Sequence, residues 1–116
     1  MIKLYKQEQL EDVKQKYSKE MIQEAEEIIT LLDENYGINR DVDKELGGYI
    51  LIAESEEDVV DIKANIIKGL IEEYTDLIKG DDGIDYYSSL FLLSDDYSIV
   101  VFSTKELHKI LIEKEL

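Results

Sequence analysis

Carboxylates are the most abundant groups in this chain that could carry chemistry, because 28 of its 116 residues are Asp or Glu. Carboxylates bind divalent cations and act in pairs as general acid and base. An EF-hand calcium loop needs acidic or amide residues at positions one, three and five, and glycine at position six. Asp33-x-Asn35 starts this pattern but continues with Gly37 and Ile38, and the 81–85 loop lacks the spacing. We predict no dedicated metal site. Adventitious binding of a divalent cation at the 81–85 loop is left as an alternative.

Other catalytic groups are scarce. The chain has one histidine, His108, no cysteine and no Gly-x-Ser-x-Gly sequence, so the parts of a nucleophilic hydrolase or a zinc site are missing. Gly47-Gly48 precedes a predicted strand, and Gly80 and Gly83 stand among aspartates, which does not suit a phosphate loop. We therefore predict that the protein is not an enzyme, with no catalytic residue and no cofactor.

Negative charge is concentrated in the middle of the chain. The formal net charge is −15, and residues 20–96 hold 22 acidic against five basic side chains. A field of this sign repels nucleic acids and anionic membranes, and it attracts basic protein surfaces. We expect a basic protein partner, in particular a nucleic-acid-binding protein, and no direct contact with nucleic acid or membrane. The simpler alternative is that the charge only maintains solubility.

The candidate partner-binding residues are acids grouped near element ends, together with two tyrosines beside acidic turns. They are Glu54, Glu56, Glu57, Asp58, Asp61, Asp81, Asp82, Asp85, Tyr86, Asp95, Asp96 and Tyr97. The first five gather at the start of a predicted helix and the next three follow its far end, roughly 30 Å away at 1.5 Å per residue. Tyrosine beside carboxylates suits an interface anchor, although strand propensity explains the same residues.

Hydrophobic periodicity predicts a long N-terminal helix from near Tyr5 to Gly37, with its apolar stripe starting at Leu10. A strand at 48–53 follows, and then a helix that begins near Ser55 and runs to about Lys79.

The C-terminal third predicts a β-hairpin of two strands, 86–93 and 97–103, and a last helix capped by Ser103 and Glu106. The hairpin strands do not alternate with polar residues, so we expect helices on both faces of the sheet. The fold class is α+β in the order α-β-α-β-β-α, with a three-stranded sheet. We predict one domain, residues 1–116, with 1–19 as a projecting helical extension.

Two kinds of function fit these features. In size, charge and lack of catalytic residues the chain resembles small acidic inhibitors of phages and mobile elements, including anti-CRISPR and anti-restriction DNA mimics, and also bacterial immunity proteins. The resemblance implies inhibition by occupying a basic protein surface. The alternative is an assembly protein that forms a homodimer through the long N-terminal helix. No apolar run approaches the ~20 residues of a membrane span, and we expect a cytoplasmic protein.

Overall fold

A five-stranded mixed sheet forms the middle layer of the computed structural model, which describes residues 1–44, 47–68, 70, 72, 74–94 and 97–113. The strands are β1 Ile2–Leu4, β2 Gly47–Ile52, β3 Tyr74–Lys79, β4 Asp85–Ser94 and β5 Tyr97–Thr104. Their order in the sheet is β1-β2-β5-β4-β3. β2 and β5 are parallel, and the other neighbouring pairs are antiparallel.

Short and long helices lie between these strands and after β5. They are α1 Leu10–Val13, α2 Lys19–Tyr36, α3 Glu56–Asp61 and α4 Lys105–Ile112, with 3-10 turns at Gln7–Gln9 and Val42–Lys44. A π-helical turn, Ile62–Ile66, continues α3, and in it Ile67 N–H donates to the carbonyl of Ile62.

The prediction of a three-stranded sheet is wrong, although the α+β class fits. The two additional strands, β1 and β3, lie at the two edges of the sheet. Tyr74, Leu77 and Ile78 were predicted to continue the helical stripe that starts after Ser55. In the structure they belong to β3, which pairs residue by residue with β4. This pairing supplies backbone hydrogen bonds that no local pattern reveals, and tertiary contacts therefore override the helical spacing.

The prediction of one long N-terminal helix is also wrong, because the helical structure is interrupted between Val13 and Lys19. The hydroxyl of Ser18 accepts a hydrogen bond from Met21 N–H at 3.2 Å and starts α2 anew. The predicted end at Gly37 is confirmed, with a φ of 96° at that residue. Both helices place their apolar stripe on the same face of the sheet. The apolar pattern in the sequence therefore continues across the break and does not reveal it.

Helices cover both faces of the sheet, as the unbroken apolar runs indicated. On one face α1 and α2 pack over Ile50, Ile52 and Phe102. On the other face α3 and α4 pack over Leu51 and Val101. The side chains of residues 1–19 contribute to the first of these cores, where Leu4, Leu10 and Val13 are buried.

The last helix begins one residue later than predicted. Thr104 is its N-cap, and its hydroxyl accepts from Leu107 N–H at 3.5 Å. Ser103, the predicted cap, is instead the penultimate residue of β5, and its buried hydroxyl has no hydrogen-bond partner among the described residues. The opposite end of α4 is closed by Lys63, which donates to the carbonyls of Ile110 and Glu113 at 2.8 and 2.9 Å.

Arg40 joins three segments at one end of the sheet. Its side chain is 2% exposed. Its Nε donates to the carbonyl of Gly48 at 2.9 Å, and Nη2 donates to that of Tyr5 at 3.0 Å. Nη1 donates to the carboxylate of Asp33 and to the carbonyl of Gly37 at 3.1 Å. The end of α2, the start of β2 and the chain after β1 are therefore held by one guanidinium.

Replacing Arg40 with Met should lower the free energy of unfolding by about 3 kcal/mol, because it leaves the partly buried Asp33 carboxylate without its counter-charge. Urea denaturation followed by circular dichroism measures the effect. Lys68→Met, at an exposed position, is the control and should stay within about 0.5 kcal/mol of the parent. Equal loss in both variants would show that Arg40 has no special role.

Candidate interaction site

Most of the predicted acidic residues lie on one side of the sheet, where strands begin or end, and not along the outer strands β1 and β3. β2 and β5 are parallel, so both end on this side, and β4 begins there because Tyr86 pairs with Thr104. β3 also ends there, because Lys79 pairs with Asp85. We call the segments that follow β2 and connect β3 to β4, residues 54–58 and 81–85, the acidic edge.

The two acidic groups lie much closer together than the sequence predicted. The expected separation of roughly 30 Å assumed a continuous helix between them. Instead α3 and its π turn lead the chain away from the edge, and β3 brings it back. Two to three strand spacings, about 10–14 Å, separate the end of β2 from the β3–β4 turn.

Tyr17 and Tyr86 lie between the two groups. The Tyr17 hydroxyl donates to the Glu54 carboxylate at 3.3 Å. Its ring meets the ring of Tyr86 edge to face, with centroids 5.9 Å apart. Burial, and then the nearby charge of Glu54, raises the pKa of Tyr17. Burial also raises the pKa of Tyr86, with further contributions from Asp82 and Glu54. Tyr86 is therefore within the field of both acidic groups.

An open cavity of about 450 Å³ lies beside these rings. Its lining side chains come from the segment between α1 and α2, from the ends of the strands and from α4. They include Lys16, Tyr17, Glu54, Tyr86 and Glu106. The cavity combines two aromatic rings with two carboxylates and one lysine. This lining suits a polar contact surface more than an enclosed substrate pocket.

Some acids of the edge already have partners. Asp58 accepts from Glu54 N–H at 2.8 Å and pairs with the amino group of Met1 at 3.2 Å. Burial opposes its ionisation, but these two contacts hold the pKa of Asp58 below its ordinary value. Asp81 pairs with Lys19 at 3.6 Å, and its N–H donates to Glu20. Asp82 accepts from Ile84 N–H at 3.0 Å within the turn.

Three acids of the edge remain available for a partner. Glu56, Glu57 and Asp85 are exposed, and none of them forms an ion pair within the described ranges. Glu56 and Glu57 also lie side by side in the first turn of α3.

The remaining predicted site residues lie elsewhere. Asp61 is the last residue of α3 and accepts from the Asn65 amide at 2.6 Å. Tyr97 lies at the opposite ends of the strands, where it pairs with Gly47, is 5% exposed and packs against Tyr49. Asp95 and Asp96 fall outside the described residues.

Sequence reasoning missed several residues near this site. Tyr17 falls within the predicted N-terminal helix, Glu106 is predicted only as part of a helix cap, and Glu20 is not among the predicted site residues. The available signals were local: Ser18 as a cap places Glu20 in the first turn of α2, and Thr104 does the same for Glu106. The contact of Tyr17 with Glu54 spans 37 residues and has no local signal.

A second acidic group, also unpredicted, lies where α2 crosses β3. Burial raises the pKa of Glu24, and the nearby charges of Asp76 and Glu27 raise it further. Glu24 and Asp76 are 52 positions apart, so only the packing of α2 against β3 brings them together.

His108, the one histidine, has a packing role in this structure. Its Nε2 lies 3.2 Å from a Glu72 carboxylate oxygen, and its ring stacks on Tyr87 with centroids 4.5 Å apart.

In the part of the chain that the structure describes, no three acidic or histidine side chains converge as metal ligands would. Within the same part, none of the helices has both the length and the apolar character needed to cross a bilayer.

Comparisons with protein-family models, curated proteins and solved structures gave no match to this chain.

Glu24→Gln should raise the free energy of unfolding by about 0.5 kcal/mol near neutral pH, because it removes the cost of burying a charged carboxylate and also its repulsion from Asp76 and Glu27. The folded-state pKa of Glu24 is raised, so its carboxylate destabilises the fold above that pKa, and acid relieves the effect. The gain should fade as the pH drops and be gone below about pH 4.5, the ordinary value of a glutamate.

Thermal or urea unfolding at about pH 7 and pH 4 measures this dependence. Glu26→Gln, at an exposed position in the middle of the same helix, is the matched control and should show no gain at either pH. A gain from Glu24→Gln that is the same at both pH values would contradict a destabilising charge on Glu24.

Proposed function

We propose that this chain is a non-catalytic binding protein whose acidic edge engages a basic surface of another protein. The observation that carries the proposal is the convergence of two acidic groups, 54–58 and 81–85, at one edge of the sheet. The formal net charge of −15 adds a long-range field of the same sign. Both features favour association with a cationic partner.

The geometry supports an electrostatic contact better than a reaction centre. Glu56, Glu57 and Asp85 are exposed and unpaired within the described residues, so a partner's Lys or Arg side chains can reach them directly. Tyr86, half-buried between the two groups, offers an aromatic surface of the kind that often anchors an interface. The cavity beside it is open and lined by charged side chains.

A nucleic-acid-binding protein is the partner class that fits this surface best. Such a protein presents Lys and Arg positioned for phosphates, and carboxylates spaced along an edge offer it the same sign of charge. Binding there would occupy the partner's nucleic-acid site, so the proposed consequence is inhibition by occupancy. This extends the sequence-based hypothesis of a nucleic-acid mimic to a defined edge of the sheet.

The assembly alternative has lost the element on which it depended. It proposed a homodimer formed through one long N-terminal helix. In the structure that half is replaced by β1, a 3-10 turn and α1, and Leu4, Leu10 and Val13 are buried in the protein's own core. We therefore favour the binding function.

The triple substitution Glu56→Gln, Glu57→Gln and Asp85→Asn should slow association with the partner roughly fivefold at low salt, because it removes exposed charges that steer the encounter. Stability should change by less than about 0.5 kcal/mol. Affinity capture with mass spectrometry identifies the partner, and stopped-flow mixing at low and high salt gives the association rates.

A matched control is Glu8→Gln, Asp12→Asn and Glu34→Gln, which removes three exposed acids away from the edge and gives the same net charge of −12. This control should associate almost as fast as the parent protein. Equal slowing in both triple variants would mean that net charge, and not the acidic edge, governs binding. An association rate that does not depend on salt would reject the proposal.

A further inference from the structure

We propose that the outer edge of β3 is a second contact, at which an extended basic segment of the partner pairs with the sheet as a sixth strand. The inference rests on the proposed function in taking the partner to be basic. It adds a backbone-mediated contact that the acidic edge does not require. The feature that carries it is the open outer edge of β3 together with the charges around it.

β3 offers a continuous template for strand pairing. Its inner edge pairs with β4 over six consecutive residues, from Tyr74 with Leu90 to Lys79 with Asp85. In the described ranges no backbone group of Tyr74–Lys79 is hydrogen-bonded on the outer side. Six residues extend about 20 Å, and about three of them direct both N–H and carbonyl outward. An added strand would satisfy these groups.

The usual protections of an edge strand are weak in β3. Natural edges are kept short, twisted by bulges, or guarded by proline and lysine. The opposite edge strand, β1, has three residues, whereas β3 has six, no register shift against β4 and no proline. Its single lysine, Lys79, stands at the end. Tyr74 and Leu77 are 63% and 43% exposed, so apolar surface accompanies the open backbone.

The charges around β3 select what can pair with it. Asp76 lies in the middle of the strand, and its charge acts on Glu24 of α2, whose own neighbour is Glu27. Beyond the end of the strand is the acidic turn that begins at Asp81. A second copy of this chain would bring the same negative charges to the edge. A basic segment would compensate them.

The alternation of side chains defines the segment further. Asp76 points to the sheet face covered by α2, because its partner Ser88 lies between Tyr86 and Leu90, which pack in that core. Leu77 points to the opposite face. The fitting segment therefore alternates, with Lys or Arg on the α2 side and apolar or β-branched residues on the other.

A synthetic eight-residue peptide that alternates lysine with valine or threonine tests the proposal. We expect it to bind the full chain and to slow amide hydrogen exchange within Tyr74–Lys79, as measured by NMR. A control peptide with the same side chains and fully N-methylated amides keeps the charge but cannot donate to the edge. It should bind at least tenfold more weakly.

A pair of protein variants separates local from global charge. Asp76→Lys should weaken peptide binding about tenfold, because it reverses the charge at the centre of the edge. Glu34→Lys makes the same change in net charge on the exposed side of α2 and should weaken binding less than threefold. Equal effects of the two substitutions would overturn the inference, as would failure of the peptide to bind.

Strand addition and the acidic edge can fail separately. If both peptides bind equally well and only the acidic-edge triple variant weakens them, strand addition is rejected and the proposed function stands. If exchange protection of β3 rises with protein concentration in the absence of peptide, a second copy occupies the edge and the inference is overturned. Protection of β3 by the peptide alone, lost with the N-methylated control, supports it.

Discussion

The buried guanidinium of Arg40 is the constraint on which the arrangement of this fold depends. It holds the end of α2 and the chain after β1 against the first residues of β2, where the sheet begins. The two glycines at that point make this possible. At Gly47, with a φ of +86°, a Cβ would lie 2.3 Å from Arg40 Cδ, and at Gly48 it would lie 2.6 Å from the Ser98 carbonyl. Gly47-Gly48 is therefore explained by close packing around a buried cation and around β5.

With β2 fixed in this way, its parallel pairing with β5 decides where the charge accumulates. Parallel neighbours end at the same edge, and the antiparallel strands β4 and β3 then place their connecting turn there. Acidic residues occupy both the segment after β2 and this turn. Like charges gathered at one edge oppose folding, and burial of the sheet between two helical layers offsets that cost. A charge distribution that costs stability is easier to understand if it serves binding.

Local patterns in the sequence predicted those elements that local interactions determine. The β2 strand, the β4–β5 hairpin and the end of α2 at Gly37 follow from β-branched runs and a glycine tolerant of positive φ. β1 could not be found in this way, because its three residues are too few to show a period. β3 could not be found either, because the spacing of Tyr74, Leu77 and Ile78 fits a helix as well as a strand. The acidic composition was visible in the sequence, but the convergence of its two groups was not. It depends on β3 returning the chain to the edge, which only long-range pairing determines.

The acidic edge and the outer edge of β3 would contribute differently to one partner. Exposed charges act over about 8–10 Å at physiological salt, so they affect mainly the rate of encounter. Backbone hydrogen bonds act only on contact, so they affect orientation and the rate of dissociation. β3 ends where the acidic turn begins, with Gly80 N–H bonded to the Ile84 carbonyl across that turn. A strand added along β3 would therefore reach the acidic edge directly, and a basic segment could first be attracted by the turn and then pair along the strand. Association would in that case depend strongly on salt, whereas dissociation would depend on the length of the paired segment.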